Sequence, residues 1–412
     1  MQNTHRKVIV ASVIGNAMEW YDYLLYAHFA KIISTLFFPM RNDFYSMMIT
    51  LGVFAAGFLA RPFGGYIFGL IGDNMGRKSA LTASILLMAI PTALIGVLPS
   101  YQTIGIFAPL GIIIIRILQG ISLGGEYSSS TTYLVESAPE NKRAFFGSFS
   151  SFSLALGVLL SSLTVFVIEK LFSQAQILDF VWRVPFLLSA VYGIIGFYIR
   201  NSLEESQAFS AQKTENKIAQ PFRLLFQAHK KDMLIAMGVF MGLTIPFYVL
   251  VVFSKQILTQ VGFSPDKATL LNAWLVFVYM WVTLLSGYLS DKIGEKKVLF
   301  FSALSTALFA FVFFACVQMA QMLPVFLAFT VAGFLIGMFQ GAVPVFSARS
   351  FPVSIRASGV SLSYNVPAIL FGGTAPMLVT AMMNYTQGNL TFVAFYVMFG
   401  SICAAISCFL KS

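Results

Sequence analysis

The sequence predicts an all-α membrane protein with twelve transmembrane helices in two pseudo-symmetric six-helix bundles. Three observations carry that expectation. Of 412 residues, 58% are hydrophobic and only 10% charged, against roughly 45–50% and about 25% in soluble domains, so charge is too scarce to cover a water-facing surface. Apolar runs able to cross a bilayer, which takes about 20 residues each, recur twelve times. A charged landmark also repeats once in each half.

The first run, 8–38, follows His5, Arg6 and Lys7. That start resembles a signal peptide, but Glu19 and Asp22 interrupt the run and no small-residue cleavage site follows, so it reads as a retained span. Runs at 44–71, 79–99, 104–135, 144–168 and 179–200 complete an N-terminal bundle over 1–200. Residues 201–230 are polar, with Glu204, Glu205, Lys213, Glu215, Lys217 and Arg223. They read as a cytoplasmic linker long enough for a short amphipathic surface helix. The C-terminal bundle, 231–412, takes the runs 231–256, 267–289, 297–318, 323–346, 357–383 and 390–410. Connections this short leave no room for an appended catalytic domain, a nucleotide-binding cassette or a soluble receptor module.

The net charge of +10 does not point to nucleic acid, because the basic residues fall at alternate connections. Arg6 and Lys7, Arg77 and Lys78, Lys142 and Arg143, Arg200 through Lys231, Lys292, Lys296 and Lys297, Arg349 and Arg356, and Lys411 mark one side. The other side holds little more than Arg41, Lys170, Arg183, Lys255 and Lys267. Positive charge marks the cytoplasmic side, which places both termini there in an inner, cell-bounding membrane. Cys316, Cys403 and Cys408 lie in apolar runs with no CxxC and no histidine at ligand spacing, so neither a disulfide, a metal nor a cofactor is expected.

Gly69 to Lys78, GLIGDNMGRK, follows the second run, and Gly287 to Lys296, GYLSDKIGEK, follows the eighth. Asp291 stands 218 positions after Asp73. Ser350, Pro352 and Arg356 likewise follow Ser137, Pro139 and Arg143 by 213. Two matched landmarks at nearly one offset indicate a duplicated chain.

The loop with Asp73, Gly76, Arg77 and Lys78 resembles the hallmark of the major facilitator superfamily. Gly15 to Tyr23, Arg61 to Gly65, Gln119-Gly120, Gly124 to Tyr127, Trp182 to Phe186 and Phe371 to Gly373 resemble its metabolite:proton symporter family, nearest the bacterial proline/betaine transporters. Citrate, α-ketoglutarate and shikimate carriers are cousins. The resemblance implies two bundles around a central solute site, monomeric action, and a loop that latches the bundles until alternating access breaks it. A topogenic basic cluster is the other reading of that loop, although it would need neither Asp73 nor the glycines. Two features depart from the pattern: Glu295 stands where relatives often have Arg, and no coiled coil of the kind linked to osmotic sensing follows the last run.

Ionisable side chains at membrane depth cost at least about 2.5–3.5 kcal/mol each. They are Glu19, Asp22, His28 and Lys31 in the first run, Arg61 in the second, and Arg116 and Glu126 in the fourth. At 100° per residue, Gly15, Glu19, Asp22, Tyr23 and Tyr26 share one face. Arg116, Gln119, Gly120, Leu123, Tyr127 and Ser130 share another, with Glu126 at its margin. In the implied fold both faces line the cavity, so acidic and basic groups confront each other. Proton coupling needs a buried carboxylate linked to solute occupancy. Asp22 is the first candidate, then Glu19 and Glu126, with Arg116 receiving a solute carboxylate. A static ion pair between helices is the alternative for each, and packing or snorkelling accounts for His28 and Lys31.

The second half has no charge at mid-depth. Thr244, Pro246, Tyr248, Trp274, Tyr279, Trp281, Gln340, Pro344, Tyr364 and Asn365 are its polar and aromatic candidates. Among them Tyr248, Gln340 and Asn365 join Tyr23, Tyr26, Gln119 and Tyr127 as expected solute contacts, and Asp291 joins the latch. Aromatic rings opposite an arginine suit a zwitterion such as proline or betaine, with a mono- or dicarboxylate as the alternative. Intramembrane carboxylates argue against plain facilitation, and the family motifs against an exporter. The absence of HExxH and GxGD argues against an enzyme, and the matched halves fit rocking bundles better than a receptor or channel.

Overall fold

The computed structural model describes residues 2–212 and 221–411. Twelve helices follow in chain order: α1 Gln2–His28, α2 Asp43–Asn74, α3 Arg77–Val97, α4 Phe107–Glu136, α5 Arg143–Leu171 and α6 Arg183–Asn201, then α7 Lys230–Pro246, α8 Pro265–Ile293, α9 Glu295–Gln318, α10 Met322–Arg349, α11 Arg356–Pro367 and α12 Thr391–Leu410. Short helices extend three of them: Ala30–Phe37 after α1, Ser254–Gln260 after α7 and Ala375–Tyr385 after α11. No strand occurs among the described residues. Eleven of these spans are long and apolar enough to cross a membrane by length and composition. The exception is α1, whose polar Asn16, Glu19 and Asp22 lower its hydropathy where they face other helices.

Between α6 and α7 lie helices Gln207–Gln212 and Pro221–Ala228. The second is short, burying Pro221 and Leu225 and exposing Arg223, Phe226 and Gln227. Lys213, Glu215 and Lys217 fall outside the described residues.

Two local features set the geometry of the centre. Helices α2 and α4 meet backbone to backbone, because a Cβ at Gly120 would collide with the carbonyl of Gly57 and one at Gly124 with that of Arg61. The seam sets Arg61 opposite Gly124, about two helical turns along from Arg116. Pro246 and Pro367 each precede a wide π turn, Phe247–Val252 and Ala368–Gly373. A proline inside a helix cannot donate a backbone hydrogen bond and crowds the preceding turn, and such widened turns re-aim side chains. The first presents Tyr248 to the interior. The halves meet along α2 with α11 and along α5 with α8 and α10.

Candidate functional site

Two guanidinium groups dominate the centre. Arg116 on α4 lies under three rings, its guanidinium carbon 4.4 Å from the centroid of Tyr23, 4.5 Å from Tyr26 and 4.8 Å from Phe54. Its Nη1 donates to Gln119 Oε1 at 2.9 Å, and Gln119 Nε2 donates to Thr92 Oγ1 at 2.7 Å. Arg61 on α2 lies 4.9 Å from the Tyr364 ring and 5.5 Å from Phe58. Its Nε donates to Asn365 Oδ1 at 3.3 Å, and Asn365 Nδ2 donates to the Gly124 carbonyl at 2.7 Å. Rings connect the two arginines: Tyr23 lies 5.8 Å from Phe58, and Phe58 lies 5.7 Å from Tyr248.

Both arginines are fully buried, and neither forms an ion pair among the described residues. Nη1 and Nη2 of Arg61, Nε and Nη2 of Arg116, and the hydroxyls of Tyr23, Tyr127 and Tyr248 make no hydrogen bond of good geometry. Cation–π contact offers about 0.5–2 kcal/mol, while an unpaired buried charge costs several kcal/mol. The hydroxyls of Tyr23 beside Arg116 and of Tyr248 and Tyr364 beside Arg61 add neutral polar partners, but rings and neutral hydroxyls supply no counter-charge to the two cations. An anion at either guanidinium would satisfy its charge and its open donors.

The acids do not supply that anion. Asp22 turns to α6, where Ser189 Oγ donates to its Oδ1 at 2.5 Å. Glu19 accepts from Ser122 Oγ at 3.0 Å. Glu126 is held by Arg200 and Ser84. The expected confrontation of Asp22 and Glu19 with Arg116 is thus not formed, because Tyr23 and Tyr26 occupy the side of α1 that faces this arginine. Tyr127 stacks on Tyr364 at 4.3 Å. Gln340 accepts from the Tyr279 hydroxyl at 2.8 Å, which places it beside the α5–α8 contact. Trp274 and Trp281 stand on the outer surface, 37% and 52% exposed, and do not reach the centre.

At one end of the bundles each half caps a helix of the other. Asp73 accepts from the backbone N–H groups of Ala357 at 3.1 Å and Ser358 at 3.0 Å. Asp291 accepts from Ala144 and Phe145, both at 2.8 Å. Arg77 pairs with Asp73 at 3.1 Å and Glu136 at 3.1 Å, and donates to the Val353 carbonyl at 2.7 Å. Arg356 pairs with Glu136 from the other half at 2.9 Å. Gly76 has φ +111°, a left-handed turn that favours glycine, and Glu205 closes over it to accept from the N–H groups of Arg77 and Lys78. Only Arg77 of the basic pair acts through its side chain; Lys78 enters through its backbone and forms no ion pair among the described residues.

Sequence reasoning missed Arg200, Glu136 and Glu205, and left Arg61 without a role. Glu136 and Glu205 carried a usable signal, being acids on the side otherwise marked by positive charge. Arg200 carried none, since it stands where a topogenic basic residue belongs.

Twelve helices in two bundles around a buried polar centre define a multi-pass membrane transporter of small solutes. The chain belongs to the sugar (and other) transporter family of the major facilitator superfamily, whose family model matches residues 7–223 and 220–411. A Staphylococcus aureus (strain COL) protein bearing a proline/betaine transporter name is 34% identical over 390 residues, covering 92% of this chain and 83% of that one. The proline/betaine transporter of Escherichia coli (strain K12) is 30% identical over 415 residues, covering 98% and 82%. Among solved structures, the proton:xylose symporter XylE bound to 6-bromo-6-deoxy-D-glucose superimposes with a TM-score of 0.80 at 17% identity, covering 99% of this chain and 95% of that one. That likeness concerns the fold.

Proposed function

We propose that this transporter is a proton-coupled symporter that imports a small zwitterionic osmoprotectant, such as proline or betaine, by alternating access. The observation that carries the reading is the pair of buried guanidinium groups, Arg61 and Arg116, with open donors and no carboxylate partner. A solute carboxylate completes them, and its ammonium group lies against the rings of Tyr23, Phe58 and Tyr248. The relatives named for proline and betaine support this choice. Asp22 and Glu19, buried acids with hydroxyl partners and no bonded base, are the coupling groups. Asp73, Gly76, Arg77 and Asp291 form the latch that parts when the site opens to the cytoplasm. The protein acts as a monomer in the inner membrane, with both termini cytoplasmic.

A mono- or dicarboxylate is the second reading, favoured by one feature: two open guanidinium groups match a dianion as well as a zwitterion. A thermal-shift screen of the purified protein against proline, betaine, ectoine, citrate, α-ketoglutarate and shikimate separates the two. Stabilisation by proline or betaine alone supports the first, and by citrate or α-ketoglutarate alone the second. No stabilisation by any of them contradicts both.

A further inference from the structure

Arg200, in the last turn of α6, turns back into the N-terminal bundle. Its Nη1 donates to Glu126 Oε2 at 3.0 Å and its Nη2 to Glu126 Oε1. Nη1 also donates to the Leu81 carbonyl and lies 3.4 Å from Ser84 Oγ, whose own hydroxyl donates to Glu126 Oε2. The pair is 1% and 2% exposed. Helix α1 leaves space for it, since a Cβ at Gly15 would collide with the guanidinium.

One turn along the same face of α1 stands Glu19. Its Oε1 accepts from Ser122, while its Oε2 is buried with no donor. The charges bearing on Glu19 are Glu126 and Arg200 and, from α2, Arg61. Helices α3 and α5, which also pack on α1, carry charges only near their ends, and Asp22 on α1 itself is turned to Ser189. Two carboxylates therefore share one close guanidinium. Glu126 holds it from two sides, and Glu19 keeps a buried oxygen that a bound proton would satisfy. Like charges in one site separate their titrations, and what decides which carboxylate takes the proton is the placement of the cation.

We propose that Arg200 is a positioning residue that assigns a transported proton to Glu19 by holding Glu126 as its fixed counter-ion. The inference rests on the symport reading above. Without Arg200, both carboxylates keep their hydroxyl donors but lose the close cation, and the site binds its proton too firmly to release it. Without Glu126, Arg200 is unpaired and opposes proton uptake by Glu19. The two single losses therefore act in opposite directions, and removing both cancels.

The test is solute accumulation by proteoliposomes under an imposed pH gradient, with solute counterflow at equal pH as the control for folding and binding. For Arg200→Gln we expect at least a tenfold loss of accumulation with counterflow retained, and a profile moved to higher pH. Glu126→Gln moves the profile to lower pH, the double variant returns it towards the parent, and Arg200→Lys rescues in part. Gly15→Ala, which displaces the guanidinium and alters no titratable group, moves the profile as Arg200→Gln does. Parental accumulation in Arg200→Gln, or shifts of one sign in both single variants, overturns the inference alone. If Arg200→Gln does not fold, an unshifted Gly15→Ala profile overturns it equally. A parent protein that accumulates nothing under a pH gradient overturns the symport reading and this inference with it.

Discussion

Asp73, at the end of α2, accepts the backbone N–H group of Ala357 at the start of α11, 3.1 Å away, so a carboxylate of one half caps a helix of the other. A helix cap contributes about 0.5–2 kcal/mol, and negative charge at a helix N-terminus adds about 0.3–1 kcal/mol. Asp73→Ala is therefore expected to weaken the closed arrangement by roughly 1–3 kcal/mol. A cysteine placed at Ser361, in a background lacking the three native cysteines, reports this as alkylation at least about fivefold faster. An unchanged rate would mean that the cap does not hold the bundles together.

The duplication keeps an ion pair while exchanging its charges. Arg77 opens α3 and pairs with Glu136 at the end of α4, whereas Glu295 opens α9 and pairs with Arg349 at the end of α10. Glu295, a departure at the level of sequence, is thus one member of a swapped pair. The two differ in burial: Arg77 and Glu136 are both 0% exposed, whereas Arg349 is 43% and Glu295 13% exposed. Glu136→Gln should cost about 3–5 kcal/mol, as expected when one partner of a buried pair is removed. Glu295→Gln should cost no more than about 1 kcal/mol. Denaturation of both variants in one detergent checks the contrast.

Arg116 presents a planar fork stacked beneath Tyr23 and Tyr26. Lysine keeps the charge and loses the fork and the stacking. A hydrogen bond to a charged group is worth about 1.5–3 kcal/mol, so Arg116→Lys should weaken binding of a carboxylate-bearing solute by about 10- to 100-fold. Titration calorimetry gives the answer, and unchanged affinity removes Arg116 from the site.

Asp22→Asn preserves an oxygen to accept the Ser189 hydroxyl but cannot carry the proton. We expect counterflow to persist while accumulation driven by a pH gradient is abolished. Accumulation at the parental level would show that Asp22 is not a coupling group.

The twelve spans were legible because each is a long apolar run between charged connections, and the interlocking caps because Asp73 and Asp291 recur at a fixed offset. Arg61 and Arg116 were legible as charges at membrane depth. The role of Arg61 was not, since Asn365, which holds its Nε, lies 304 residues away in the other half. A helical wheel placed Asp22, Tyr23 and Tyr26 on one face of α1 but could not tell which neighbour each meets; Asp22 meets α6 and the tyrosines meet Arg116. Arg200 was hidden by its position at a basic boundary, because only the packing against Gly15 reveals that its long side chain turns inward.

On the function proposed above, Arg61 and Arg116 await a solute carboxylate. Betaine and choline share a trimethylammonium group and differ in that choline carries a hydroxymethyl in place of the carboxylate, so equilibrium binding of the two to the purified protein tests the claim directly. Betaine is expected to bind at least about 100-fold more tightly than choline, from one or two charge-assisted hydrogen bonds, and Arg61→Gln or Arg116→Gln to erase most of that difference. Equal affinity for the two compounds in the parent protein would contradict it.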